Sequence, residues 1–121
     1  MLRRNISQPV ETIDRLREQN LRKHTEVYSA DGQRVGVAMR FVHRPILEVD
    51  EDLKLYRTYL IVQSIFLGGF VYLPTVFIGA HDPQANRLTM AVDFGTIQEE
   101  TWNREPRFAS VGVGVYEELP E

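Results

Sequence analysis

Three histidines, His24, His43 and His81, are the side chains of this 121-residue chain best suited to proton transfer near neutral pH. They stand 19 and 38 positions apart, without the short spacings that bring ligands together on one metal ion. His81 beside Asp82 places an imidazole next to a carboxylate. That pair could contribute to a metal site, and with Tyr72 it could serve a small-ligand sensor or an enzyme. The carboxylate pairs Glu99-Glu100 and Glu117-Glu118 are adjacent in sequence rather than convergent, which suits a helix surface and a chain tail better than acid–base catalysis. Glu48, Asp50, Glu51 and Asp52 lack the glycine and the spacing of a calcium loop and read as a solvated connection. The chain contains no cysteine, which excludes a disulfide framework, a thiolate zinc site and a cysteine nucleophile. It has no glycine-rich phosphate loop, no nucleophile elbow and no two-histidine metal helix. The expectation is a protein without catalytic, cofactor-binding or metal-binding residues.

The totals narrow the remaining classes. One domain is expected at this length, with a composition (43% hydrophobic, 26% charged) ordinary for a globular protein. A formal net charge of −3 does not suggest a nucleic-acid footprint, although Arg15, Arg17, Arg22, Lys23 and His24 lie close together. The first residues never develop the apolar stretch of a secretory signal, so a cytoplasmic location is expected. The apolar region from Leu60 to Ala80 is about long enough to cross a bilayer. Gly68-Gly69 and Pro74 interrupt it, however, and its β-branched and aromatic residues describe two buried strands, so no membrane span is expected.

The elements follow from local patterns. Ser7 to Leu21 reads as an amphipathic helix, with Pro9 in the first turn and Val10, Ile13 and Leu16 at helical spacing. Its narrow apolar stripe suggests an appendage docked on the rest. Strands are expected near 26–29, 34–42, 54–66, 70–78 and 87–93. Asp31-Gly32 supplies the turn between the first two, and Gly36 marks a bulge or a close backbone approach. Gly68-Gly69 breaks the long apolar pair, and Pro74 marks an edge or a bend. Around Leu60-Ile61-Val62 both faces are apolar, as in a strand buried on two sides or bridging a dimer. Thr96 to Glu99 has the form of a capping box, predicting a short helix from Ile97 to about Asn103 anchored by Trp102. Val111 to Tyr116 suggests one more strand, and Glu117 to Glu121 a frayed acidic tail.

The ordered set resembles the PRC-barrel superfamily. The carrying residues are Val27, Asp31-Gly32, Val35-Gly36 and Ala38 as a first hairpin, Tyr72-Leu73-Pro74 with Ile78 as a proline-marked strand, and Arg87 to Val92 as a closing strand. Trp102 and Pro106 match a terminal signature of some stand-alone members. The resemblance covers roughly residues 25–106, leaving a helical extension at 1–24 and a strand or tail at 107–121. It implies a mainly β, small, strongly bent barrel used for macromolecular contact, with no shared catalytic residues.

The function expected from these readings is a non-catalytic interaction or assembly module that self-associates, most simply as a homodimer. Ribosome or RNA association is the alternative, borrowed from the maturation-factor branch of the family. A small-ligand sensor using His81, Asp82 and Tyr72 is a third. Phe66, Phe70, Tyr72 and Phe77 could stack on bases, but no arginine or lysine lies between Thr58 and Asn86, which favours core packing.

Overall fold

The computed structural model describes residues 9–45, 56–100 and 102–121. The predicted helix start at Ser7, the acidic connection Glu48 to Asp52 and the predicted strand start at Lys54 lie outside them. The elements run α1 (Pro9–Glu18), β1 (Glu26–Tyr28), β2 (Arg34–His43), β3 (Thr58–Ser64), β4 (Gly69–Pro74), a 3-10 turn (Thr75–Phe77), β5 (Ile78–Asp82), β6 (Arg87–Met90), α2 (Phe94–Glu99), α3 (Arg107–Ser110) and β7 (Val115–Glu118). The protein is mainly β. Its seven strands form one mixed sheet in the order β4-β3-β2-β1-β6-β5, with β7 also on β2. All ladders are antiparallel except that of β1 with β6. The ladder path is open, because β4 and β5 are its ends and are joined only by the 3-10 turn.

Strand β2 organises the sheet. One edge pairs with β3. The other pairs first with β1, from Arg34 to Val37, and then with β7, from Arg40 to His43. Register shifts between Val27 and Tyr28 and between Ala38 and Arg40 insert an extra residue into β2 each time, which bends it. Gly36 lies at the first shift. A Cβ there would stand 2.1 Å from the Gln63 carbonyl oxygen and 3.0 Å from Val62 Cγ1, so β2 and β3 close on a residue without a side chain. The turn from β1 to β2 is longer than a two-residue Asp-Gly loop. Gly32 N–H donates to Ser29 O at 3.0 Å and Ser29 N–H to Gln33 O at 2.8 Å, with Gly32 at φ +84°. This three-residue loop places the positive φ on glycine, where no Cβ opposes it.

One core lies on the inner face. Val27, Val35, Phe41, Leu60, Val62, Leu73, Leu88 and Met90 are buried there together with Ile13, Leu16 and Leu21 around α1 and Leu119 beyond β7. The helix expected as an appendage is thus part of the main core. A second, smaller cluster covers the outer face, where Phe108 and Ala109 of α3 lie on Val42 and Ile61. Leu60, Ile61 and Val62 are 0%, 3% and 0% exposed, so β3 is buried on both sides within a single chain.

Several boundaries differ from those expected. The strand predicted at 70–78 is divided by the 3-10 turn, because Pro74 (φ −59°) ends β4 and cannot donate onward. Its second part extends to Asp82, into what reads as a turn in the sequence. The predicted helix from Ile97 to Asn103 is instead α2, starting at Phe94. Its first N–H donates to Asp31 Oδ1 at 3.1 Å, a cap from 63 positions away, so Thr96 sits inside the helix rather than at its start. A second short helix, α3, follows Pro106. The last strand is Val115–Glu118 rather than Val111 to Tyr116, and the expected frayed tail is held in place. Lys23 N–H donates to Pro120 O at 2.7 Å, and Leu119 is 5% exposed.

Two stability measurements check this architecture. Replacing Gly36 with alanine forces a Cβ against a backbone oxygen and is expected to cost about 1–3 kcal/mol or more in chemical denaturation. Trp102→Ala is expected to cost about 3–5 kcal/mol, since Trp102 is 8% exposed and its ring lies 5.3 Å from that of Phe77. A tryptophan emission maximum typical of hydrated indole in the native protein would contradict the second expectation.

Candidate functional site

The residues singled out in the sequence serve the backbone at separate places. Asp31 and Gly32 shape the first hairpin, where Asp31 accepts from the Ser29 hydroxyl and from Phe94 N–H. These two hydrogen bonds hold the Asp31 carboxyl below the usual carboxylate range. Gly68 and Gly69, at φ +85° and +141°, turn β3 into β4. Pro74 pairs with Tyr59 at the other end of β4, near Trp102, whose carbonyl accepts Tyr72 N–H at 2.7 Å.

The histidines do not converge. His24 is exposed at φ 72°. His81 Nδ1 lies 3.0 Å from Gln19 Oε1, and burial pushes its pKa down while Asp82 opposes the shift. Asp82 Oδ1 accepts from Gln84 and Ala85 N–H groups, and Tyr72 lies on β4 in a different setting, so the trio His81, Asp82 and Tyr72 has no shared hydrogen bonding. Among the described residues no group of three or more metal-ligating side chains comes together, and no helix is long and apolar enough to cross a membrane.

Glu117 and Glu118 take part in four of the five ion pairs among the described residues. In the sequence they read as tail residues, because their partners are far away in the chain. As neighbours in a strand they point to opposite faces. Arg17 donates from Nε and Nη2 to Glu117 at 2.9 and 2.6 Å, and His43 Nε2 lies 2.8 Å from Glu117 Oε1. His43 Nδ1 lies 3.0 Å from Thr58 Oγ1. A neutral imidazole that donates to Glu117 leaves Nδ1 to accept the Thr58 hydroxyl. The order hydroxyl, imidazole, carboxylate is that of a hydrolase triad. Thr58 is 3% exposed, however, and both Glu117 oxygens are already matched by Arg17. The row therefore reads as a tie between α1, β2, β3 and β7. On the other face Glu118 meets Lys23 Nζ at 3.0 Å and Arg40 Nε at 2.7 Å.

The same outer face carries an open groove of about 380 Å³. Its walls include Phe70 and Tyr72 of β4, Ile61 of β3, and Tyr116 of β7, with the Arg40–Glu118 ion pair along it. Alternation on β4 explains the selection: Val71 and Leu73 are buried, while Phe70 is 45% exposed and Tyr72 is half-buried. Tyr116 is 48% exposed, and at the β3–β4 tip Ile65 and Phe66 are 85% and 57% exposed. The four aromatic residues expected in the core thus divide, with Phe77 packed against it and Phe66 and Phe70 facing water.

No family model, curated protein or solved structure matches the chain.

The Glu117 cluster has a pH signature. Hydrogen bonding by Arg17, opposed by partial burial, pushes the Glu117 carboxyl down to about 2. In the unfolded chain it titrates near about 4.3. The depressed native value favours the folded state above that pH, and the contribution is lost as pH falls from about 4.3 towards about 2. Glu117→Gln is expected to destabilise by about 1 kcal/mol at pH 7, allowing for water at the carboxylate, and to flatten the acid limb of denaturation midpoints measured between pH 5 and 2. An unchanged acid limb would show that Glu117 carries no such coupling.

Proposed function

We propose that this chain is a non-catalytic interaction module that self-associates through its outer sheet face. One observation carries the reading: large apolar side chains stay exposed along one groove and its neighbouring hairpin tip, at Phe70, Tyr116, Ile65 and Phe66. Exposed apolar patches rimmed by charge mark contact surfaces, and a two-fold pair is the simplest symmetric way to cover one. Of the apolar run Leu60 to Val62, the chain buries Leu60 and Val62 in its own core, and only Ile61 borders the groove.

The finer fold reading, a strongly bent small barrel similar to the PRC-barrel superfamily, belongs to the same proposal. Its support is that the two ends of the ladder path, β4 and β5, follow one another through a three-residue turn, and that one core lies within the curve. A cytoplasmic, cofactor-free protein completes the reading.

Sedimentation velocity over a range of micromolar concentrations tests it. A concentration-dependent dimer is expected, and Phe70→Glu is expected to weaken it by about tenfold or more if this residue lies at the centre of the interface. A monomer at all concentrations that binds RNA with a steep salt dependence would replace self-association by the RNA reading.

A further inference from the structure

A second cavity, of about 190 Å³, lies at the junction of α1, β2 and β3. Among the described residues its walls are Ile13, Arg17, His43, Arg44, Arg57 and Thr58, which bring three guanidinium groups and an imidazole together. Most of these donors have partners. Arg17 is matched by Glu117 and Asp14, and His43 by Glu117 and Thr58. Arg44 Nε donates to Tyr56 O at 2.8 Å, and its guanidinium lies 4.3 Å over the Phe108 ring. Arg57 differs: its Nε is buried and has no hydrogen-bond partner among the described residues.

Arginine does not shed its proton to escape burial, so an N–H held from water without an acceptor leaves a standing free-energy cost. No carboxylate among the described residues pairs with the Arg57 guanidinium, and an anion in the cavity would supply that partner. We propose that this cavity is a binding site for a small oxyanion, a phosphate or carboxylate group, received by Arg57. The planar guanidinium fork suits both groups, since each offers oxygens at the spacing of paired N–H donors. The volume falls below the roughly 300 Å³ at which drug-sized pockets begin, which selects a single anionic group rather than a nucleotide. Ile13 supplies an apolar wall beside it, suited to a short hydrocarbon stem. The proposal is independent of self-association, because the outer-face groove shares none of these residues.

The test is a titration of the whole chain with inorganic phosphate and, separately, with acetate, at constant ionic strength set with chloride. The Arg57 Nε–H resonance is followed by nitrogen–proton correlation spectroscopy. A saturable shift at Arg57 is expected, accompanied by shifts of the His43 and Thr58 amides. Arg57→Met is expected to weaken binding by about tenfold or more, with Arg57→Lys in between. Tighter binding of phosphate assigns a phosphoryl ligand, and tighter binding of acetate assigns a carboxylate. Should Arg57→Met not fold, the wild-type resonance decides alone. No saturable shift with either anion, or equal affinity in a folded Arg57→Met variant, would overturn the proposal.

Discussion

Strand β2 is largely buried, and buried backbone N–H and C=O groups need hydrogen-bond partners along the whole length of a strand. Ten residues long, it is more than any one neighbour covers on its second edge. Three residues of β1 serve the first part and four of β7 the rest, while β3 takes the opposite edge. From this requirement the other features follow. The chain must return from its far end to reach β2, α1 must lie where it does not block β7, and the two bulges must curve β2 so that one core fits beneath it.

Electrostatics follows the same geometry. Once β7 lies on β2, its alternating side chains fall on opposite faces, and two successive glutamates serve two different cationic groups. Glu117 draws Arg17 of α1 and His43 of β2 together on one side, and Glu118 joins Lys23 and Arg40 on the other. None of these ion pairs is deeply buried, so each contributes modestly by itself. Together they tie the helix, the central strand and the last strand in one arrangement. The cavity beside them is lined, among the described residues, by Arg17, His43, Arg44 and Arg57 of the same arrangement.

What could be read in the sequence divides by the range of the interaction. The Asp31-Gly32 turn, the Gly68-Gly69 reversal and the apolar two-sided strand around Ile61 are local statements, and the strands they delimit stand close to where the patterns place them. The start of α2 was not legible, because its first N–H is met by Asp31 from another hairpin while Thr96 and Glu99 imitate a local cap. Pro74 marks a bend in the sequence, but only the 3-10 turn shows that the chain changes its sheet partner there. Glu117 and Glu118 look like a solvated tail, since nothing in their neighbourhood names Arg17 or His43. The outer groove was partly legible: Phe70 and Tyr72 stand two residues apart, on one face of a strand, whereas Tyr116 joins them only through the return of β7.

The pairing of β7 with β2 also has a kinetic side. Arg17 and Glu117 are 100 positions apart, and His43 and Glu117 are 74. Contacts of such separation are slow to form, because a long loop must close before any of them contributes. A chain whose first hairpins have assembled without β7 therefore presents the edge of β2 from Arg40 to His43 as an open template. The same segment of another molecule fits that template equally well. During refolding at high concentration, exchange of β7 between chains competes with closure of the single chain, and dilution favours closure.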